Sequence, residues 1–188
     1  MQVTLIMEEI TKFLTNVGLI TSNGPYGHNV MACEWTYYIS YTPPLIAVCI
    51  RPNKTTFENI KAISEFGVNI TSVDQNVVSS VAGNNHGKDV DKISLLKELG
   101  VIFYKAQTIN TLMLEGASLN AECKVVNFID IGDHPIFIGE IQNVKQVEKE
   151  PIIYHKGKYF RLGEQVYKPE QAKLEMIDKL IKKYSRKS

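Results

Sequence analysis

Arg51, Lys54, Thr55 and Thr56 fall within six residues of one another in the segment RPNKTTFENI at 51–60. A guanidinium, an ammonium and two hydroxyls so spaced can hold a phosphate. The step from Thr55 to Glu58 predicts a capping box, with Thr55 as helix N-cap and Glu58 reaching back to it. A helix start presents free backbone N–H groups and a positive dipole end, so the phosphate gains donors beyond the side chains. The same residues also fit a plain helix cap with solvated charges, and the segment alone leaves both open. One strand earlier, NVMACEW at 29–35 reads as β structure. At period two, Asn29, Met31, Cys33 and Trp35 share one face, while Val30, Ala32 and Glu34 share the other. An amide, a thioether, a thiol and an indole make a poor apolar core face but a suitable wall for a flat heteroaromatic ring. A strand whose Trp35 lies half-buried under a helix is the competing reading.

The elements that must position these residues are mostly short β-type runs. TLIMEEITKFLTN at 4–16 predicts a short helix, and VGLITSN at 17–23 a strand that turns through Asn23-Gly24-Pro25-Tyr26-Gly27 into the 29–35 strand. Pro43-Pro44 sets an extended lead-in to LIAVCI, an apolar run suited to a strand buried on both sides. A helix is expected from about Thr56 to Phe66, strand character returns in GVNITSV at 67–73, and 79–100 reads as helix and loop around Gly83 and Gly87. CKVVNFIDI and PIFIGEIQNVKQV, joined by Gly132-Asp133-His134-Pro135, predict a second hairpin. A C-terminal helix at about 169–186 places Leu174, Ile177, Ile181 and Tyr184 on one face. Lys173, Lys179, Lys182, Lys183, Arg186 and Lys187 make this helix basic, as a solvated face of a dimer-supporting helix would be. Such a pattern argues for a mainly β chain with an antiparallel sheet closed into a barrel and helices outside it; a sandwich fits the periodicity nearly as well.

Composition narrows the classes. A chain of 188 residues with 44% hydrophobic and 22% charged residues fits a single domain over 1–188 with a substantial core. A net charge of +1 carries no basic bias towards nucleic acid. No run of eighteen apolar residues suggests a membrane span, and the N-terminus lacks a small-residue cleavage site, so a cytoplasmic protein is expected. Cys33, Cys49 and Cys123 form neither a disulfide framework nor a zinc motif, which fits reduced thiols and no metal.

Taken in order, NVMACEW, TPPLIAVCIRPNKTTFENI, EFGVNI, GKDVDK and GDHPIFIGEI resemble the flavin reductase-like, FMN-binding split-barrel family, with flavoredoxin as the nearest branch. The resemblance spans roughly residues 10–165. It implies an antiparallel six-stranded split β-barrel with peripheral α-helices, a homodimer with flavin near the interface, and electron transfer through non-covalent FMN. By position it implies that Asn29, with Val30, Met31 and Ala32 of its strand, and Trp35 lie at the ring. Arg51, Lys54, Thr55 and Thr56 fall on the phosphate loop, and Lys92 in GKDVDK approaches the phosphate or the electron-rich edge of the ring. His134 matches a histidine near the flavin and nicotinamide, a candidate catalytic residue, and Tyr167 is the late aromatic chosen to cover the ring. Glu34 departs from the family's pattern and is expected on the opposite face, away from the flavin. His28 and His86 stand near enough in sequence to line a pocket, without an assigned role. Two functions follow from the resemblance: an oxidoreductase that takes hydride from NADH or NADPH and passes electrons to a redox partner protein or small-molecule acceptor, or a flavoredoxin-type carrier that shuttles electrons between protein partners without oxidising a nicotinamide. Without a G-x-G-x-x-G fingerprint, any nicotinamide binds transiently on the exposed flavin face.

Overall fold

The computed structural model describes residues 13–185. Most of the helix expected at 4–16 lies outside them. Its last two residues instead form strand β1, Thr15–Asn16, paired antiparallel with a late strand, Ile153–His155. Strands β2 (Gly18–Ser22), β3 (Asn29–Cys33), β4 (Thr36–Tyr41) and β5 (Pro44–Cys49) follow, then helix α1 (Thr55–Ile63) and β6 (Glu65–Ile70). Helices α2 (Asn76–Asn84) and α3 (Lys92–Glu98) precede the small pair β7 (Phe103–Lys105) and β8 (Leu112–Leu114). The long hairpin β9 (Leu119–Ile129) and β10 (Ile136–Gln146), strands β11 (Ile153–His155) and β12 (Lys158–Phe160), and helix α4 (Gln171–Tyr184) complete the chain.

Seven strands, in the order β3-β2-β6-β9-β10-β5-β4, form one wholly antiparallel sheet, one strand more than the six expected. The extra member is β4, whose Tyr37, Tyr38, Ile39 and Tyr41 are all exposed, so it lacks the alternation that marks a half-buried strand. β3 and β4 are the two edges of this sheet, yet only Glu34 and Trp35 connect them. A flat sheet cannot place its edges two residues apart, so the sheet curls into a split barrel. Thr36 Oγ1 donates to Cys33 O at 3.0 Å and pins the two edges together, while Asn16 Nδ2 of β1 donates to Thr36 O at 2.7 Å and Cys49 N of β5 to Trp35 O at 3.0 Å at the same corner. Curling needs kinks, and the β9–β10 ladder carries register shifts at Ile138/Gly139 and Ile141/Asn143. At Gly139 any Cβ would collide with the Phe66 ring, so the bend closes on that aromatic.

Two cores result. Ile20, Val48, Phe66, Val68, Cys123 and Phe137 fill the barrel, while Leu19, Val30, Val78, Ala82, Ile93 and Leu96 fill the layer between the sheet and helices α2 and α3. α1 ends three residues earlier than expected, at Ile63, because Ser64 takes a left-handed conformation (φ 62) and Glu65 starts a strand. The helix is fixed to the β2–β3 turn by buried Asn59, whose Oδ1 accepts from Tyr26 N at 3.1 Å while Nδ2 donates to Gly27 O at 2.9 Å. No described helix is long and apolar enough to cross a membrane.

Candidate functional site

The split between β3 and the start of α1 opens into a cavity of about 310 Å3. Its wall brings together ten of the twelve residues singled out from the sequence: Asn29, Met31, Ala32 and Trp35 from β3 and its exit; Arg51, Lys54, Thr55 and Thr56 from the loop and helix; Lys92 from α3; and His134 from the hairpin tip. Val30 is not among them; it is fully buried in the layer beneath α2 and α3, because the opposite pleat of β3 faces the helices. Tyr167 is also apart, 81% exposed in a stretch outside all regular structure.

Two local expectations change. The N-cap of α1 is Lys54, not Thr55, and no side chain caps it. Thr55 sits inside the first turn, 2% exposed, with its Oγ1 buried and without a partner. Glu58 has left the capping role for Lys88 Nζ at 2.6 Å and Tyr26 Oη at 2.7 Å. Glu34 lines the cavity instead of turning away, since β3 ends at Cys33 and the chain bends at Glu34, which breaks the period-two alternation.

The end of the cavity at the start of α1 is built from three segments. Asn29 Nδ2 donates to Thr56 Oγ1 at 2.8 Å, with both residues buried. Gly87, between α2 and α3, approaches so closely that a Cβ there would strike the Asn29 amide and come within 3.0 Å of Thr55 Oγ1. Lys92, 2% exposed, donates from Nζ to Ala82 O and Asn85 O, each at 3.2 Å. Burial, with a smaller contribution from Lys54, lowers its pKa to about 8. A buried cation is ordinarily paired with a carboxylate, but Lys92 has only these two carbonyl acceptors among the described residues.

At the other end, Arg51 bridges to the β9–β10 tip. Its Nε donates to His134 Nε2 at 3.1 Å and its Nη2 reaches Asp133 Oδ2 at 3.2 Å, while Asp133 Oδ1 lies 2.8 Å from His134 Nδ1. The His134 ring stacks obliquely on Trp35, centroids 4.5 Å apart at 57°. This ring pair forms one lip of the cavity.

The sequence reading missed Gly83, Asn85 and Gly87, which complete the floor, and Cys49, which joins Cys33 on the wall. The glycines were visible only as loop markers, because their role depends on α2 and α3 folding over β3. His86 lines the cavity with its Nε2 3.0 Å from Asn53 O, whereas His28 lies in a separate depression with Lys88 and Lys97. A second cavity of about 220 Å3 shares Ala32, Cys33, Glu34 and Gly83 with the first and extends to Asn16, Tyr154 and Tyr159.

A buried helix start without a side-chain cap, an orphaned hydroxyl and an unpaired lysine converge where an amide-bearing strand edge meets a tryptophan. A statistical description of the flavin reductase like domain matches residues 10–163. The chain belongs to that family. An uncharacterized protein of Pyrococcus abyssi is 31% identical over 113 residues, covering 60% of this chain and 63% of that protein. This chain therefore spans somewhat less than two thirds of that relative. A protein of Mycobacterium tuberculosis named flavin-dependent monooxygenase, reductase subunit HsaB, is 25% identical over 154 residues, or 79% of this chain and 76% of its own. The flavoredoxin of Desulfovibrio vulgaris superposes with a TM-score of 0.75 at 24% identity, over 87% of this chain and 95% of that one, a likeness of fold.

The residues present fit the phosphate-bearing flavin that the family implies. Among the described residues Thr55 Oγ1 lacks a partner and Lys92 lacks an anion, and Gly87 keeps open a space that any side chain would fill. The α1 N-terminus, Thr55, Thr56, Lys54 and Lys92 would hold the phosphate, and Asn29, Met31 and Trp35 would flank the ring. A bound flavin supplies the two-electron chemistry; the chain supplies placement, charge and exclusion of water.

Proposed function

We propose that this flavin reductase-like domain binds FMN without a covalent link and passes electrons through it, with NADH or NADPH as hydride donor. The observation that carries this reading is the cavity at the barrel split, where the β3 edge with Asn29 and Trp35 opens directly onto the first turn of α1 and Lys92. FMN ends in a phosphate that matches this cradle, and the adjoining second cavity gives a transient nicotinamide a place beside the ring without a dinucleotide-binding domain. His134, held against Trp35, is the residue placed to meet the nicotinamide or hydrogen-bond the flavin.

The quaternary reading is a homodimer with the flavin near its interface, supported by the apolar stripe that α4 leaves exposed. Three free cysteines accord with a reducing, cytoplasmic setting. The electrons are passed on to a small-molecule acceptor or a redox partner protein. An absorption spectrum with bands near those of oxidised flavin after incubation with FMN is the expected result, followed by anaerobic bleaching with NADH or NADPH. A protein that stays colourless overturns the flavin reading. One that binds FMN but is not bleached by either nucleotide is instead an electron carrier of flavoredoxin type.

A further inference from the structure

We propose that loading of the cavity with a phosphate-bearing flavin is coupled to uptake of a proton by Lys92, so that this lysine makes both affinity and preference for the phosphorylated flavin depend on pH. The inference rests on the cavity being the FMN site and adds what the lysine does there.

Lys92 is the first residue of α3, and its side chain runs back beneath the α2–α3 connection to the cavity wall. Its two acceptors, Ala82 O and Asn85 O, are main-chain carbonyls of α2 and its C-cap, which satisfy two of the three ammonium protons. The charged and titratable groups that share the cavity are Arg51 and Lys54 from the phosphate loop, His86 from the α2–α3 connection, His134 from the hairpin tip, and Cys33, Glu34 and Cys49. On its own element, Asp91 is turned away; its carboxylate accepts from Ser94 N at 3.0 Å and from Ser94 Oγ at 2.6 Å. The Glu34 carboxylate accepts from Thr15 Oγ1 at 3.3 Å. Among the described residues no carboxylate therefore compensates Lys92, and the charge that acts on it is the like charge of Lys54.

With burial holding the amine near pKa 8, the flavin-free protein loses much of this charge in mildly alkaline solution. A phosphate dianion in the same cavity reverses the balance, because an opposite charge at short range favours the ammonium and restores at least its ordinary value of about 10.5. Binding should then take up about 0.1 proton at pH 7, about 0.5 at pH 8 and about 0.9 at pH 9. The affinity should weaken about tenfold between pH 7 and pH 9. Other groups do not imitate this trend. The phosphate is already almost fully dianionic above pH 7, and burial raises the Cys33 thiol to about 11, so it remains protonated in this range, while burial raises Cys49 in the same direction.

The test is calorimetric titration of the full, flavin-free chain with FMN at pH 7, 8 and 9, in pairs of non-phosphate buffers of different ionisation enthalpy. Riboflavin, which lacks the phosphate, serves as the control. The expected result is proton uptake that rises with pH for FMN and stays near zero for riboflavin. The Lys92→Arg variant, permanently charged, should bind FMN with no proton uptake and no loss of affinity to pH 9; Lys92→Met should bind weakly at every pH. Tight FMN binding with no proton uptake at pH 8 and 9, or uptake that persists in Lys92→Arg, overturns the coupling while leaving the FMN site standing. No FMN binding at any pH overturns both together.

Discussion

Asp133 fixes the face that His134 turns to Arg51. The carboxylate lies 2.8 Å from Nδ1 and Arg51 Nε lies 3.1 Å from Nε2. Arg51 can only donate, so Nε2 accepts and Nδ1 carries the hydrogen that Asp133 receives. The aspartate is itself held below the usual carboxylate range, chiefly by His134 and then by Arg51. Replacing Asp133 by alanine removes a solvent-exposed partner, so the melting temperature should hardly move. The ring should nevertheless lose its single tautomer, and nitrogen chemical shifts of His134 should move from the Nδ1–H pattern towards a mixture. Shifts unchanged in Asp133→Ala would mean that Trp35 and Arg51 alone orient the ring.

Thr55 and Thr56 are adjacent but call for opposite outcomes in the flavin-free protein. The Thr56 hydroxyl receives the Asn29 amide, so Thr56→Val strands a buried donor and should cost roughly 1–3 kcal/mol of stability. Thr55 Oγ1 has no partner, so Thr55→Val removes an unsatisfied group and should leave stability unchanged or slightly raised. Both should weaken FMN retention, by about tenfold for the loss of one hydrogen bond to a charged group. Denaturant unfolding of the two flavin-free variants separates them, and equal losses would show that Thr55 has a partner within the protein.

Gly87 is a steric gate to the same corner. A methyl group there meets the Asn29 amide and the Thr55 hydroxyl. Gly87→Ala should destabilise the fold by about 1–3 kcal/mol through overpacking and should abolish FMN retention more completely than either threonine variant. Retained FMN at wild-type affinity would show that the α2–α3 connection can withdraw freely.

Lys92 also carries a stability signature. Its folded value, about 8, lies below the ordinary value, so between these values the unfolded chain binds more protons and stability rises with pH. The cysteines pull the other way above pH 9, since burial raises Cys33 to about 11 and Cys123 to about 12, so the clean comparison is a difference. The stability of Lys92→Met relative to the natural chain should fall by roughly 2 kcal/mol between pH 7 and 9.5. A pH-independent difference between the two would place the ammonium in water rather than in the wall.

What could be read from the chain and what could not follows the range of the interactions involved. The β3 edge, the loop that enters α1 and the β9–β10 hairpin are local patterns, and each was legible in NVMACEW, RPNKTTFENI and PIFIGEIQNVKQV. β4 was not, because the Tyr-rich TYYISY carries no buried alternation and is a strand only through its pairing with β5. Gly87 and Asn85 join the site only when α2 and α3 fold across β3, an event with no local signature. Threonine favours the cap position, yet tertiary packing draws the Thr55 hydroxyl into the cavity wall and the cap falls on Lys54. Tyr167 rests on resemblance alone, and it stands 81% exposed.

The tail that carries Tyr167 yields the last prediction. α4 has no buried residue, and Leu174, Ile181 and Tyr184 stand 36%, 60% and 70% exposed on one side of it. A solitary helix of 14 residues is marginal in water unless its apolar stripe is covered. A second copy of the chain is the occupant that the homodimer reading supplies. Cutting after Gly163 keeps Leu162, whose amide donates to Glu150 at 2.6 Å, and leaves both cores intact. The shortened chain should retain its cooperative unfolding while its sedimentation mass falls from two copies to one at the same concentration. If the mass stays at two copies, another face holds the dimer, and α4 must pack against some other part of its own chain or a different partner.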